Sequence, residues 1–204
     1  MIQIEKTEVS GWEAAIRGMR NPMNSWDKSD SLFWPGHIQI GEKDIDLMKR
    51  LVKSGTDHSK FMRSIVVTFD ITAPLYWWKE YETYKVGTVS NSCSTMHKIH
   101  SKPFELDDFS HDHLTPESED YMQTIVDRLE TIRLKYLETK DKACWYDMIQ
   151  LLPSSYNQKR TVLLNYAVLR NMYHARMNHK LDEWREFCKL IETLPQSELI
   201  TMEV

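Results

Sequence analysis

The segment SIVVTFDIT, residues 64–72, constrains the fold of this chain more than any other stretch of its sequence. It is rich in β-branched residues and its side chains alternate in character, a pattern that predicts a strand. Pro74 follows and ends that strand. A second short alternating stretch, MIQIEKTEV at residues 1–9, predicts another strand. The chain should therefore build its sheet from segments early in the sequence.

Helical spacing of apolar residues dominates the rest of the chain. We predict helices at residues 11–20, 42–55, 75–87, 118–140 and 141–150, and one or two more that together cover residues 157–194. The longest is amphipathic and should begin at a capping Ser118, whereas the aromatic residues of 75–87 leave the type of that element open. These elements predict an α+β fold, with a small antiparallel sheet and a mostly helical C-terminal half.

The segment 21–37 is predicted to be a loop, because it is full of turn-forming residues. It also contains Trp26, Phe33 and Trp34, which is unusual for a loop. We expect these aromatic side chains to fold back over the core. A lid or a subunit contact is the alternative.

Composition predicts one domain over residues 1–204, since 6 glycines and 7 prolines leave no long flexible linker. The net charge of −4 argues against nonspecific binding to nucleic acid. No apolar run approaches the roughly 18 residues that span a bilayer, and the N-terminus does not resemble a signal peptide. Cys93, Cys144 and Cys188 form no C-x-x-C pair, which favours reduced thiols in a cytoplasmic protein.

Residues 98–117 are predicted to form a polar linker that contains His100, His111 and His113. Two closely spaced histidines resemble a metal site, but no further ligands cluster beside them in the sequence. We therefore interpret them as part of a solvated loop. Motifs typical of mononucleotide-binding proteins, zinc proteases and serine hydrolases are absent from the sequence.

A run of small polar side chains, YKVGTVSNSCSTMH at residues 84–97, follows the aromatic segment. Such short groups can surround a phosphate or pair with a base edge without filling a pocket, and Lys79 and Lys85 would supply positive charge. A polar turn that caps a helix is the alternative interpretation. Cys93 is not predicted to be a nucleophile, because no base is indicated for it and a buried neutral thiol is common.

Three collinear stretches resemble the flavin-dependent thymidylate synthase (ThyX) family. GTDHSKFMRSIVVTFDITAPLYWW, residues 55–78, is similar to a family segment that runs from a His-Glu-Thr-Pro-Phe-Glu-like turn through a Phe-Thr-Phe strand and an Ala-Pro into an aromatic helix. The family signature Arg-His-Arg-x-x-Ser-x-Asn-Glu-x-Ser-x-Arg would begin at Thr83. LLP at 151–153 and NYAVLRNMYHAR at 165–176 match the family's Leu-Pro followed by Asn, Asn and Arg.

The chain departs from the family mainly where the family holds its nucleotide. Thr83, Thr95 and Ile149 stand at positions of family arginines, and only Lys85 keeps a positive charge in the signature. A dianionic phosphate needs charge-assisted hydrogen bonds, ideally from arginine. The resemblance therefore implies a substrate loop suited to a ligand with less negative charge, or to one held partly by Lys79 and Lys85.

Positions that the family uses for flavin are better preserved, and the resemblance implies two sets of site residues. The candidate cofactor-binding residues are His58, Lys60, Arg63, Tyr84, Lys85, Asn165, Asn171 and Lys180. The candidate substrate-binding residues are Lys79, Glu80, Thr88, Ser90, Asn91, Cys93, Ser94 and Arg176. No catalytic residue and no metal ligand is assigned.

The resemblance implies FAD as the cofactor and a pyrimidine nucleotide as the substrate. In the family, a one-carbon unit from methylenetetrahydrofolate is reduced by flavin hydride, which NADPH replenishes, and is placed on C5 of the base. Family members are homotetramers with sites between subunits. The lost arginines favour an alternative, a non-catalytic flavin- or nucleotide-binding protein of the same fold. An unrelated α+β protein, for which the resemblance is chance, is a third possibility.

Overall fold

The computed structural model describes residues 2–203, which form two compact units. Unit 1 contains residues 2–5, 70–83 and 90–161, and unit 2 contains residues 6–69, 84–89 and 162–203. Two such units can belong to one domain, so the single domain stays a prediction.

The fold is α+β, as the sequence predicts. The strands are β1 (Gln3–Ser10), β2 (Leu32–Trp34), β3 (His37–Gln39), β4 (Val66–Pro74), β5 (Val89–Ser92) and β6 (Asn157–Asn165). The helices are α1 (Trp12–Arg20), α2 (Glu42–Lys53), α3 (Leu75–Tyr81), α4 (Thr95–Lys98), α5 (Pro116–Thr139), α6 (Lys142–Leu151), α7 (Tyr166–Arg176), α8 (Asp182–Glu192) and α9 (Glu198–Thr201). A small antiparallel sheet has the order β1-β4-β6-β5, and β2 pairs with β3 in an antiparallel hairpin.

Strand β4 confirms the strand that the alternating sequence predicts, shifted by two residues. Its buried side chains alternate along the strand, and Pro74 is its last residue. Buried and exposed positions therefore follow the period of two that a strand imposes.

Strand β6 overturns the prediction that the chain is helical throughout residues 157–194. Val162 and Leu164 are buried, whereas Thr161 and Leu163, which alternate with them, are exposed, and this alternation is strand periodicity. The polar start of this segment hides that alternation in the sequence. Helical structure begins only at Tyr166, where Asn165 caps α7 by accepting a hydrogen bond from the Val168 N–H at 3.1 Å.

Two helix ends also differ from prediction. Helix α5 begins at Pro116 rather than Ser118, because Thr115 is its N-cap and its Oγ1 accepts from the Ser118 N–H. Helix α3 ends at Tyr81 instead of continuing to residue 87. The Thr83 hydroxyl donates to the Glu80 carbonyl at 2.7 Å and so competes with the next helical hydrogen bond.

The core of unit 1 shows that residues 98–117 are not a polar linker. Ile99, Phe104 and Phe109 from this segment are buried among Val126 and other apolar residues of α5 and α6. Burial of these side chains stabilises the unit by the hydrophobic effect. His111 is half-buried, and its Nδ1 lies 2.9 Å from the Phe109 carbonyl oxygen, whereas His113 is exposed.

The segment 21–37 of unit 2 is anchored by a buried ion pair rather than by its aromatic side chains. Arg20 and Asp44 are almost fully buried and their charged atoms lie 2.6 Å apart. Asp44 also accepts hydrogen bonds at 2.6 Å from the hydroxyls of Ser29 and Ser31. Burial opposes ionisation of Asp44, but these bonds and the Arg20 charge outweigh it and lower the pKa of its carboxyl.

The aromatic residues of that segment do not cover the core as predicted. Trp26 is 51% exposed and Trp34, at the end of β2, is 47% exposed. Phe33 is half-buried. Leu32 and Ile38 of the hairpin are exposed as well, and the register pairs Ile38 with Phe33, on the face opposite to Leu32 and Trp34.

The N-cap of helix α1 is a glycine, Gly11, and any larger residue there would clash with the main chain. Gly11 has φ = 87°, and a Cβ at that position would lie 1.9 Å from the Ser64 carbonyl oxygen. Helix α1 can therefore enter unit 2 beside the segment that leads into β4. The Trp12 ring then packs edge-on against Tyr166, with ring centroids 5.3 Å apart.

None of the helices within residues 2–203 combines the length and the apolar character that crossing a bilayer requires.

Candidate functional site

Unit 2 contains a cavity of about 390 Å³ between the segment 55–63 and helix α7. Its polar lining consists of Thr56, Ser59, Arg63 and Arg170, and none of the described residues that line it is acidic. His58 and Lys60 belong to the same segment and are exposed. Two guanidinium groups beside two hydroxyls form a lining that suits an anion.

Arg170 is the more buried arginine of this cavity. Its Nη1 donates to the carbonyl oxygens of Leu199 and Ile200 at 3.3 and 2.9 Å. Burial lowers the pKa of the Arg170 guanidinium, and neither carbonyl carries a full negative charge. An anionic group in the cavity would offset part of that desolvation cost.

The loop of residues 84–89 lies against the N-terminus of α7. Gly87 has φ = 79°, and a Cβ there would come within 3.1 Å of Asn165 Nδ2. Asn165 already uses its side-chain oxygen to cap α7. Thr88 donates its hydroxyl to the Tyr84 carbonyl at 2.7 Å, which closes the loop on itself.

Arg176 is held inside unit 2 by aromatic side chains. Its Nε donates to the Tyr84 hydroxyl at 2.9 Å, and its guanidinium lies 4.9 Å from the Trp184 ring centroid and 5.6 Å from that of Tyr84. Such contacts combine a charge-assisted hydrogen bond with cation–π attraction. Arg176 therefore fixes Tyr84, and its assignment to substrate by the sequence resemblance stays a prediction.

The remaining candidate cofactor residues of unit 2 are spread over its surface. Lys85, Asn171 and Lys180 are exposed, and none of them lines the cavity at Arg63 and Arg170. Unit 2 thus brings Tyr84, Thr88, Asn165 and Arg176 into one connected region, and places Arg63 in a cavity.

Unit 1 contains a larger cavity of about 470 Å³ at the end of β5, which we call the hydroxyl cavity. Its lining residues are Gln3, Thr72, Cys93, Ser94, Thr95, Lys98, Ile99, Ser101, Lys102, Asp107, Asp108, Tyr156, Asn157, Gln158 and Lys159. Two candidate substrate residues, Cys93 and Ser94, are therefore among them. Cys93 is exposed, so the expectation of a buried thiol is wrong, whereas Cys144 and Cys188 are buried.

The polar run 84–97 is partly strand and partly helix cap. Residues 89–92 form β5, and Ser94 then caps the short helix α4 by accepting from the His97 N–H at 3.0 Å. The cap agrees with the interpretation of a polar turn that caps a helix. Ser94 and Cys93 line the hydroxyl cavity at the same time, so the two interpretations of this run do not exclude each other.

Strand β6 fixes the backbone of Cys93 through hydrogen bonds. The Cys93 N–H donates to the Lys159 carbonyl at 2.9 Å, and Gln158 Nε2 donates to the Cys93 carbonyl at 2.7 Å. Arg160 orients the Gln158 amide by donating from Nε to its oxygen at 2.9 Å, and its guanidinium lies 4.3 Å from the Trp78 ring centroid. Sequence reasoning missed this network because it treats β6 as helical.

The lysines of the hydroxyl cavity differ from those predicted. Lys98, Lys102 and Lys159 line it, whereas the predicted Lys79 and Lys85 do not. Lys98 and Lys102 lie in the segment interpreted as a linker, and Lys159 lies in β6. Lys98 follows the predicted Ser94 by four residues, the spacing that puts two residues on one face of a helix.

The other predicted substrate residues lie outside that lining. Lys79 is exposed and Glu80 is half-buried on α3, while Ser90 and Asn91 are exposed in β5. Their roles stay predictions. Within residues 2–203, no three histidine, cysteine or acidic side chains are grouped closely enough to hold a metal ion.

Acidic side chains accompany two of the three cavity lysines. Lys102 Nζ forms an ion pair with Asp108 Oδ1, and Lys159 Nζ lies 2.9 Å from Glu5 Oε2 and 3.6 Å from Asp70 Oδ2. Burial opposes the charge of Lys102, yet the hydrogen bond and charge of Asp108 outweigh it and raise its pKa. Burial also raises the pKa of the Tyr156 phenol, which keeps it neutral and able to donate a hydrogen bond.

No protein-family model and no curated protein sequence matches this chain. Solved structures do. A Helicobacter pylori flavin-dependent thymidylate synthase ThyX, complexed with FAD and dUMP, superimposes with a TM-score of 0.71 at 19% identity, covering 98% of each chain. A second Helicobacter pylori ThyX structure with FAD and dUMP gives 0.69 at 18% identity, covering 100% of this chain and 98% of that one.

A UMP/dUMP methylase, PolB from Streptomyces cacaoi bound with 5-Br dUMP, gives a TM-score of 0.63 at 14% identity, covering 95% of this chain and 89% of that one. At these identities the likeness concerns the fold. The chain has the fold of the flavin-dependent thymidylate synthases over nearly its whole length, as the sequence resemblance implies.

Proposed function

We propose that this protein is a divergent flavin-dependent thymidylate synthase-like enzyme that transfers a one-carbon unit to C5 of a pyrimidine nucleotide. The observation that carries the proposal is the full-length fold match to proteins solved with FAD and dUMP. The cofactor would be FAD, with NADPH and methylenetetrahydrofolate as co-substrates. We extend the proposal to a single cytoplasmic domain that assembles as a homotetramer.

The cavity at Arg63 and Arg170 fits the pyrophosphate of FAD. Two guanidinium groups and the hydroxyls of Thr56 and Ser59 line it, and no acid among the described lining residues would repel the phosphates. When bound, the flavin would supply the hydride that reduces the transferred carbon. His58 and Lys60, on the same segment, are proposed to contact the cofactor as well.

Residues of unit 2 would hold the loop that meets the cofactor. Arg176 fixes Tyr84 by a hydrogen bond at 2.9 Å, and Gly87 permits the loop to approach Asn165 closely. Lys85 and Thr88 are carried by this loop, so its position sets theirs. Their proposed role is to orient ligand, as is that of Asn171 and Lys180.

The hydroxyl cavity of unit 1 is the proposed site for the substrate. Its hydroxyls and amides can bind a base and a sugar by hydrogen bonds. Cys93 and Ser94 would contact the substrate there, and Ser90 and Asn91 precede them on β5.

A second candidate function is a non-catalytic flavin- or nucleotide-binding protein of the same fold. A specific observation favours it, since Arg176 is occupied by Tyr84 and Trp184 and none of the described residues lining the hydroxyl cavity is an arginine. The enzyme requires both flavin binding and turnover, whereas the binding protein requires only that a flavin or a nucleotide binds.

Exposed apolar residues of unit 2 favour the proposed oligomer. Trp26, Leu32 and Trp34 are about half exposed and Ile38 is 44% exposed, and large exposed apolar side chains commonly mark an interface. Light scattering coupled to gel filtration tests this, because a monomer at micromolar concentration would contradict the homotetramer.

Two measurements test the function itself. The purified protein should take up FAD and acquire a flavin absorbance spectrum. A protein that stays colourless with excess FAD would exclude the enzyme and leave only a nucleotide-binding protein of the same fold. Release of tritium from 5-tritiated dUMP, with NADPH and methylenetetrahydrofolate present, is then expected for the enzyme. Flavin uptake without tritium release would leave the binding protein.

A further inference from the structure

The charges of the hydroxyl cavity are largely compensated before any ligand enters. Lys102 is paired with Asp108, and Lys159 is paired with Glu5 and Asp70. Asp107 also lines the cavity and adds a negative charge. Among the described lining residues, Lys98 is the one lysine without an acidic partner.

A nucleoside monophosphate would find few partners for its phosphate here. A dianion removed from water requires several charge-assisted hydrogen bonds, and arginine provides them best because its fork is preorganised. The described lining contains no arginine, and two of its lysines would have to leave their carboxylates. Asp107 and Asp108 would in addition repel the phosphate.

Uncharged hydrogen-bonding groups are plentiful by contrast. The hydroxyls of Thr72, Thr95 and Tyr156 line the cavity, and the Asn157 amide accepts from Ser110 through its oxygen at 2.9 Å, which leaves its NH₂ group to donate. The Tyr156 ring adds an apolar face on which a base can stack. Such a lining suits a sugar and a base without a phosphate.

From this charge arrangement we infer that the hydroxyl cavity takes an uncharged pyrimidine nucleoside in preference to its 5′-monophosphate. The inference rests on the proposed function for its choice of a pyrimidine, and it goes beyond that function by replacing the nucleotide with the uncharged nucleoside. It separates this chain from the dUMP complexes of similar fold, because the selectivity comes from acids that occupy the cavity lysines.

The thiol of Cys93 provides a direct measurement. It is the one exposed cysteine of the three in the sequence and it lines the cavity, so a neutral maleimide should modify it before Cys144 and Cys188. Bound ligand should slow this modification. Mass spectrometry of the cysteine peptides then gives a protection constant for deoxyuridine, uridine, dUMP and UMP on the intact protein.

The nucleosides should protect Cys93 at concentrations about tenfold lower than the monophosphates do, a free-energy difference of about 1.4 kcal/mol. Asp108→Asn should release Lys102 and shift the preference about tenfold toward the monophosphates. Asp107→Asn should act in the same direction and leaves the Lys102 pair in place. Glu138→Gln is the matched control, because it makes the same charge change at an exposed residue of α5 outside the cavity lining. It should leave the preference between nucleoside and monophosphate unaltered.

Tighter protection by dUMP than by deoxyuridine would overturn the inference while leaving the proposed function intact. Protection by neither ligand, in a protein that binds FAD, would overturn it too. Failure of the proposed function has a different signature, which is the absence of FAD uptake. A preference that shifts equally in Asp108→Asn and Glu138→Gln would show that the acids of the cavity do not set the selectivity.

Discussion

Unit 2 and unit 1 carry their positive charge in different ways. In unit 2 the cavity cations are arginines, since Arg63 and Arg170 line a cavity whose described residues include no acid. In unit 1 the cavity cations are lysines, two of which are paired with carboxylates. The comparison teaches that a count of basic residues does not identify an anion site. Whether the charge is free for a ligand depends on the acids that surround it.

The largest effect is expected where an arginine of unit 2 serves the fold instead of a ligand. Arg20→Met would leave Asp44 buried without its partner, which should cost about 3–5 kcal/mol in the free energy of unfolding. Urea denaturation followed by circular dichroism measures this cost. Arg17→Met is the matched control on the same helix, because Arg17 pairs with Glu13 on the surface, and about 0–1 kcal/mol is expected. Equal losses in the two variants would contradict the assignment.

The same ion pair predicts how stability depends on pH. The pKa of Asp44 is lowered in the folded protein, so its stabilising contribution is present above the ordinary carboxyl value of 3.8. That contribution is lost as the pH falls through the folded pKa below this value. Asp44→Asn should therefore flatten the decline of the unfolding free energy below about pH 4.

The arginine cavity gives the next largest effect. Arg63→Ala should weaken FAD binding by about 10- to 100-fold, since a hydrogen bond to a charged group contributes about 1.5–3 kcal/mol. Titration of flavin fluorescence measures the affinity. Arg50→Ala, an exposed arginine on α2 outside the cavity lining, should bind FAD as the wild type does. A loss common to both variants would point to net charge, and not to the cavity.

A smaller effect is expected at the contact that engages Arg176. Tyr84→Phe keeps the ring and removes the hydroxyl that accepts from Arg176, so the unfolding free energy should fall by about 1.5 kcal/mol. Tyr121→Phe, at a 69% exposed tyrosine, supplies the control. If Arg176 bound substrate and not Tyr84, Tyr84→Phe would leave stability unchanged.

The smallest effect on stability is expected for a variant of the Lys102–Asp108 ion pair in unit 1. Lys102→Gln removes the exposed partner of an ion pair whose carboxylate is half-buried, and the unfolding free energy should change by about 1 kcal/mol at most. High salt should reduce even that change. A loss as large as that of Arg20→Met would show that the lysine pairs of unit 1 stabilise the fold as strongly as the buried arginine of unit 2 does.

Local patterns predicted much of the fold. β4 could be predicted because its buried residues alternate in a segment of β-branched side chains. β6 could not be predicted, because its first four residues are polar or basic. Its alternation depends on Gln158, a polar residue that is buried and hydrogen-bonded to Cys93 and Arg160. Tertiary contacts thus decided what the sequence pattern left ambiguous.

The candidate site was harder to predict from the sequence than the fold. The resemblance placed Cys93 and Ser94 at a ligand, but it assigned the charge to Lys79 and Lys85. Lys102 lies eight residues after Ser94 but outside the family signature, and Lys159 comes from β6, so the fold decides whether these lysines reach the cavity and which acids pair with them. A family motif predicts residues at matched positions and has no information on cations that arrive from elsewhere.

The close approach of Gly11 to the Ser64 carbonyl limits which residues a library of variants can carry at position 11. A saturation library at position 11 should return glycine alone among well-expressed clones, since even a methyl group would displace main chain, which cannot rotate away as a side chain can. Position 18 should accept alanine freely, because nothing lies within 4 Å of the added atom. Two glycines seven positions apart in the sequence would then mark opposite extremes of mutational tolerance.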